Sequence, residues 1–136
     1  MNATRRTVLI AGALSAITAL SFSSAVFAAS DLVEVQSLNA ANKPITVAVP
    51  KNPQRIAVAD FSVLDTLDHW GLGERIVALP QTTALPYLPQ YFKKSKKVTN
   101  LGTLKEIDLE GLMAAEPDVI FISGRLAKKY DELSKI

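Results

Sequence analysis

Three side chains in this sequence have the types and settings to grip a planar, oxygen-rich anion: Arg125, Tyr87 and Phe61. Arg125 ends the run Val119-Ile120-Phe121-Ile122-Ser123-Gly124-Arg125, in which an uninterrupted apolar stretch enters a small-residue turn. Such a stretch reads as a strand buried on both faces, and a strand of that kind delivers the next residues of the chain to one edge of a sheet. A guanidinium stays charged and offers a planar fork of donors, which suits an anionic, oxygen-rich ligand. Aromatic rings nearby would add walls to such a cleft. Each of the three also has a structural alternative: a solvated residue at a helix start for Arg125, a core residue at a helix start for Phe61, and loop packing for Tyr87.

Other chemistry is thinly supported. His69 is the only histidine and lies four residues after Asp65, a spacing that could make half of a metal site or an acid–base pair. Next to Trp70, which the helical period assigns to the core, a lone histidine reads better as a surface or packing residue, and no metal is expected. The chain has no cysteine, hence no disulfide, thiolate ligand, thiol nucleophile or site for a lipid anchor. Gly71-Leu72-Gly73 ends a helix instead of opening one, opposite to what a phosphate loop needs. There is no Gly-x-Ser-x-Gly elbow, and the carboxylates do not pair for hydrolysis. These residues predict a binding protein with no intrinsic cofactor, and not an enzyme.

The first residues have the grammar of an export signal: Arg5 and Arg6, an apolar stretch from Val8 to Leu20, and Val26-Phe27-Ala28 as a small-residue cleavage site. Residues 1–28 are therefore read as a signal peptide cleaved near Ala28, which leaves a periplasmic protein without a lipid anchor; the alternative is an uncleaved membrane anchor, for which the uncharged span is long enough but its second half rich in Ser and Ala. Thr4-Arg5-Arg6-Thr7-Val8-Leu9 also looks like a twin-arginine signal, so the export route stays open. Setting aside Arg5 and Arg6, the 15 basic residues become 13, against 13 acidic ones. The remaining basic run, Lys93 to Lys97, carries no interleaved aromatics and reads as a solvated face, so no nucleic-acid partner is expected.

The elements that must position the candidate side chains can be read from periodicity. Val33–Leu38 and Ile45–Val49 alternate apolar and polar residues around Asn42-Lys43-Pro44, the pattern of a β-hairpin. Ile56–Ala59 is a short strand, and beyond Asp60 the period changes: Val63, Leu64, Leu67 and Trp70 share a helical face, with Ser62 and Asp65 resembling a capping box. Arg75–Leu79 is a second strand, followed by a loop with Pro80, Pro86 and Pro89 that carries Tyr87 and Tyr91. Asp108 caps a helix through Leu109, Leu112 and Met113 that Pro117 closes, Val119–Ile122 is a third strand, and Leu126–Ile136 reads as a helix that stops in mid-pattern. Strands alternating with helices predict an α/β fold with a parallel sheet and right-handed crossovers. In such sheets the ligand crevice lies beyond the carboxyl ends of the strands, so Asp60-Phe61, the Tyr87 loop and Ser123-Gly124-Arg125 should meet on one rim.

The order of these segments resembles the N-terminal lobe of periplasmic iron-siderophore binding proteins of ABC importers, the clamp type with a rigid interlobe helix. The matching stretches are Ile45 to Ile56, Asp60 to Leu67, Leu101 to Glu106 and Glu116 to Arg125. The resemblance implies two α/β lobes with an anionic ferric siderophore held between them, and an importer permease at the inner membrane as partner. It implies that Arg125 neutralises the iron complex, that Tyr87 lines the cleft, and that Lys105 and Phe61 stand at its rim. It also implies an acidic importer-docking residue on this lobe, which position assigns to Asp131 or Glu132. Residues 29–136 would then be one incomplete clamp, with the C-terminal lobe lacking, a fragment able to fold but not to enclose a ligand. Two other readings are a haem- or corrinoid-binding lobe of the same clamp class, and a small exported interaction protein that uses Lys93 to Lys97 or the last helix as a docking surface.

Overall fold

The computed structural model describes residues 31–93 and 98–136. The expected signal peptide and most of the Lys93 to Lys97 run lie outside the described residues.

Two strands, β1 (Leu32–Leu38) and β2 (Pro44–Pro50), form an antiparallel hairpin in register Leu32 with Pro50 through Leu38 with Pro44. Its turn is held by Asn39, whose Oδ1 accepts from the N–H groups of Ala41 at 2.9 Å and Lys43 at 3.0 Å. Asparagine does this because its short side chain reaches the backbone two to four residues on. The hairpin is a separate two-stranded sheet, and Leu32, Val33, Val35 and Leu38 remain exposed.

The lobe is a four-stranded parallel sheet in the order β5-β4-β3-β6, built from β3 (Ile56–Ala59), β4 (Ile76–Leu79), β5 (Thr99–Asn100) and β6 (Val119–Ile122). Every pairing is parallel, as the alternation of strands with helices predicts. Helix α1 (Phe61–His69) joins β3 to β4, α2 (Leu109–Ala114) precedes β6, and a 3₁₀ segment over Gly124–Lys129 leads into the short α3 (Tyr130–Leu133). Ile56, Val58, Leu64, Leu67, Ile76, Leu79, Leu88 and Tyr91 pack on the α1 face; Ala57, Ala78, Leu101, Leu112, Ala115 and Leu133 pack on the other. The alternation of Ile56 and Val58 against Ala57 reflects the period-2 pleat, which sends successive side chains to opposite faces.

The strand buried on both faces is β3, all four of whose residues are buried. For β6 the sequence expectation needs correction: it is the edge strand, with Phe121 37% exposed and its neighbours half-buried. An apolar run states that a strand prefers burial, but strand order decides whether anything lies on its second side. Strand β5, only two residues long, has no counterpart among the sequence expectations, because so short a stretch carries no readable period.

The last segment also differs from a single helix over Leu126–Ile136: Leu126 and Leu133 are buried, Tyr130 is half-buried and Ile136 is exposed. Trp70 is the C-cap of α1 and 67% exposed, not a core residue, because the helix ends at His69 and Gly71 follows with φ +72°. The chain turns away before the next helical position can return to the core.

Parallel neighbours are locked at their starts by one carboxylate. Asp118, just before β6, accepts from the backbone N–H groups of Gln54 at 2.7 Å and Arg55 at 2.8 Å, just before β3. The Arg55 side chain in turn donates through Nε to the carbonyls of Ala115 at 3.2 Å and Glu116 at 2.9 Å, satisfying the end of α2. These contacts fix the register Ile56 with Val119 through Ala59 with Ile122, and so fix which residues emerge side by side at the other end.

Candidate functional site

At the carboxyl ends of the four strands, the rim reads from one edge to the other as the loop after β5 with Lys105, the loop after β4 with Tyr87, Asp60 and Phe61 after β3, and Ser123-Gly124-Arg125 after β6. The parallel order therefore puts the four expected residues on segments that all leave the same end of the sheet.

Asp60 caps α1. Its backbone is extended (φ −143°, ψ 126°), and its Oδ1 accepts from Ser62 N–H at 2.8 Å and from the Ser62 hydroxyl. The expected cap at Ser62, with Asp65 as its partner, is thus displaced two residues upstream. Aspartate caps as well as serine, and the one at the strand end takes the free N–H groups first. The Asp60 carboxyl lies below its ordinary value, first because the Ser62 hydroxyl donates to it, then through the Ser62 and Val63 N–H groups and the charge of Arg125, against a penalty from burial. In the sequence Asp60 reads as the end of a strand and as part of the expected rim, with no role of its own. Its place opposite Ser123 in the register extended beyond Ala59 and Ile122 makes it the nearest carboxylate by topology to the Arg125 turn.

Arg125 is exposed, and among the described residues its guanidinium is in neither a hydrogen bond nor an ion pair. Its five donors therefore face solvent. The Ser123 hydroxyl in the same turn is buried and without a partner among the described residues.

Phe61 is half-buried, packs on the α1 face of the core, and meets Phe92 edge to face with ring centroids 5.8 Å apart and planes at 81°. The core alternative for Phe61 thus holds together with its place at the rim. Tyr87 is 64% exposed, so loop packing does not account for it. Its neighbours Leu85 and Leu88 anchor the loop on the core beside Phe61, with Leu88 N–H donating to Leu85 C=O at 3.1 Å. Tyr91, in the same loop, is buried instead, donating to Asp68 Oδ1 at 2.6 Å; burial first, and this bond second, push its hydroxyl above the ordinary phenol range.

On the far side, Asn100 Oδ1 accepts from Gln81 N–H at 3.0 Å and Gly102 N–H at 2.9 Å, tying the β4 and β5 exits together. Gly102 takes φ +79°, the left-handed region that a side chain resists. Lys105 then sits exposed in a turn organised by the Thr103 hydroxyl, which accepts from its N–H at 3.2 Å. Asp131 and Glu132 lie on α3, both exposed, with Glu132 held by Lys129 at 2.7 Å. His69 and Asp65 are exposed on α1, and no set of three or more His, Asp or Glu residues clusters as metal ligands among the described residues.

A cleft of ≈ 590 Å³ lies between the hairpin and the open edge of β6, lined by Val47, Val49, Phe121, Ile122 and Tyr130 among others and reaching the rim only at Ser123 and Gly124. Among the described residues no cation lines it. An anionic chelate would lose its hydration there without compensation, so the charged rim and not this apolar seam is the candidate site.

The parallel α/β lobe thus carries, on segments that leave its strand ends, an exposed guanidinium without a partner among the described residues, an exposed phenol ring and a half-buried phenyl ring. Residues 56–136 match the family model described as periplasmic binding protein, and the chain belongs to that family. It is 42% identical over 88 residues to the petrobactin-binding protein YclQ of Bacillus subtilis, a match spanning 65% of this chain and 27% of the relative. The crystal structure of YclQ superposes with a TM-score of 0.67 at 36% identity, covering 76% of this chain and 35% of that one. The siderophore binding protein BauB, bound to a complex of two acinetobactin molecules and ferric iron, gives 0.64 at 28% identity over 76% and 34% of the chains. The iron uptake ABC transporter substrate-binding protein PiuA of Streptococcus pneumoniae gives 0.60 at 31% identity over 76% and 34%. The chain thus spans about a quarter of the length of YclQ and about a third of the solved chains.

Proposed function

We propose that this chain forms one lobe of a periplasmic solute-binding component of an ABC importer, and that its rim takes an anionic ferric siderophore. The observation that carries this reading is the exposed Arg125 guanidinium, without a partner among the described residues, just beyond the carboxyl end of a strand of a parallel sheet, in a chain whose relatives are named for binding siderophores and for iron uptake. In this reading Arg125 binds the oxygens of the complex, Tyr87 and Phe61 supply aromatic surface, and Lys105 adds charge from the opposite end of the rim. Asp131 or Glu132 meets the permease. Residues 1–28 direct export, the chain works without a lipid anchor, and it neither catalyses a reaction nor carries a cofactor of its own.

These residues supply one lobe's share of the contacts, so the test is made at high ligand concentration. Equilibrium dialysis against ferric tris-catecholate should show Arg125→Ala lowering affinity roughly tenfold, the value of about one charge-assisted contact. Equal affinity for the variant and the native chain would remove Arg125 from the site. A Soret band on mixing with haem, with no response to ferric catecholates, would favour the haem-binding alternative.

A further inference from the structure

Asp60 stands in the middle of a rim otherwise suited to anions, and its capping hydrogen bonds could be kept without its negative charge. As the cap of α1 it needs only an acceptor oxygen, and asparagine serves a helix N-cap equally well. Its place is fixed by the pairing of Ala59 with Ile122: β3 and β6 leave the sheet side by side, Asp60 from one and the Ser123-Gly124-Arg125 turn from the other. The Asp60 carboxyl is held ionised first by the Ser62 hydroxyl, then by the Ser62 and Val63 N–H groups, and last by the charge of Arg125. The two are nonetheless not an ion pair, so the guanidinium keeps its donors for a ligand while the carboxylate field overlaps the same space.

We propose that Asp60 is a specificity-determining residue of this rim, whose carboxylate penalises bound complexes in proportion to their negative charge and so sets which ferric chelates the lobe accepts. The inference rests on the reading of the rim as the binding site. Arg125 attracts any oxygen-rich chelate through directional donors; Asp60 contributes no donor, so its effect is charge alone. A neutral ferric chelate meets no penalty, and a highly charged one meets the largest. The lobe is thereby tuned toward complexes of low net negative charge.

The test uses the full 136-residue chain as native protein, Asp60→Asn, Arg125→Ala and the double variant. Each is dialysed at low and high salt against trianionic ferric tris-catecholate and a neutral ferric tris-hydroxamate. Asp60→Asn should tighten the trianion about threefold to tenfold at low salt, leave the neutral complex within about twofold, and lose most of its effect at high salt. Arg125→Ala should weaken the trianion, and Asp60→Asn should still tighten it in that background.

If Arg125→Ala leaves the trianion unaffected, the reading of the rim itself fails. If Arg125→Ala weakens it while Asp60→Asn is silent, or acts equally on both complexes, only the role of Asp60 is overturned. A ligand-free measurement stands beside these: carbon-detected NMR titration should show the Asp60 carboxyl titrating at higher pH in Arg125→Ala than in the native chain. Identical titration curves would mean that the two charges do not share the rim, and would sink the inference whatever the chelates do.

Discussion

Replacing Asp118 by alanine tests how the rim is assembled. One carboxylate oxygen, Oδ2, receives two backbone N–H groups, from Gln54 at 2.7 Å and Arg55 at 2.8 Å, and so pins the start of β6 to the start of β3. Hydrogen bonds to a charged acceptor contribute about 1.5–3 kcal/mol each when buried. These lie at the surface, where water replaces much of the loss, so about 1 kcal/mol each is the working value, and Asp118→Ala should cost ~2 kcal/mol. Asp118→Asn keeps an acceptor at the same place without the charge and should cost about half of that.

With a urea slope of ~1 kcal/mol/M for a chain of this size, the midpoint should fall by ~2 M for alanine and ~1 M for asparagine. Far-UV circular dichroism is the suitable probe, because Trp70 is exposed and its fluorescence would report little of the core. Amide exchange at β3 and β6 should accelerate in step with the midpoint shift. A midpoint within about 0.3 M of the native value for alanine would show that the sheet register stands without this anchor. In that case the alignment of Asp60 with the Arg125 turn would owe nothing to Asp118.

Leu64 is fully buried between α1 and the sheet, and Leu64→Ala should cost ~3 kcal/mol, read from chemical denaturation; a loss under about 1 kcal/mol would mean that the helix is not seated on this core. Gly102→Ala should cost about 1–2 kcal/mol, since φ is +79° and a Cβ would stand 3.2 Å from the Glu106 carbonyl oxygen, and thermal unfolding would register this as a drop of several degrees. Asp60 binds its proton less readily folded than unfolded, so its contribution to stability is present above its unfolded value near 3.8 and is lost as pH falls through the lower folded value. Asp60→Asn should flatten that acid limb in urea midpoints measured from about pH 5 to pH 2, and an unchanged limb would contradict the assigned hydrogen bonds.

The α/β class, the hairpin, three of the four lobe strands and the Asp108 cap of α2 were legible in the chain, because each depends on local period or on a residue that bonds its own neighbours. The resemblance to siderophore binders was also legible in the order of short motifs, and the family match together with relatives named for binding siderophores bears it out. Less legible was the fate of each apolar surface. Val119–Ile122 and Trp70 are as apolar as any core segment, yet one lies at a sheet edge and the other beyond the last turn of its helix.

Sequence alone determined which residues could carry charge and rings to the end of a strand: Arg125, Tyr87 and Phe61 are singled out by the apolar runs and turns before them. Tertiary structure alone decided their company. Strand order put Asp60 between the Tyr87 loop and the Arg125 turn, made Tyr91 a buried partner of Asp68 while Tyr87 stayed exposed, and brought a two-residue strand in to extend the rim toward Lys105. The physical reason is that period and propensity act within a few residues of the chain. Pairing of β3 with β6 joins residues more than sixty positions apart, and no local pattern encodes which strand will lie beside which.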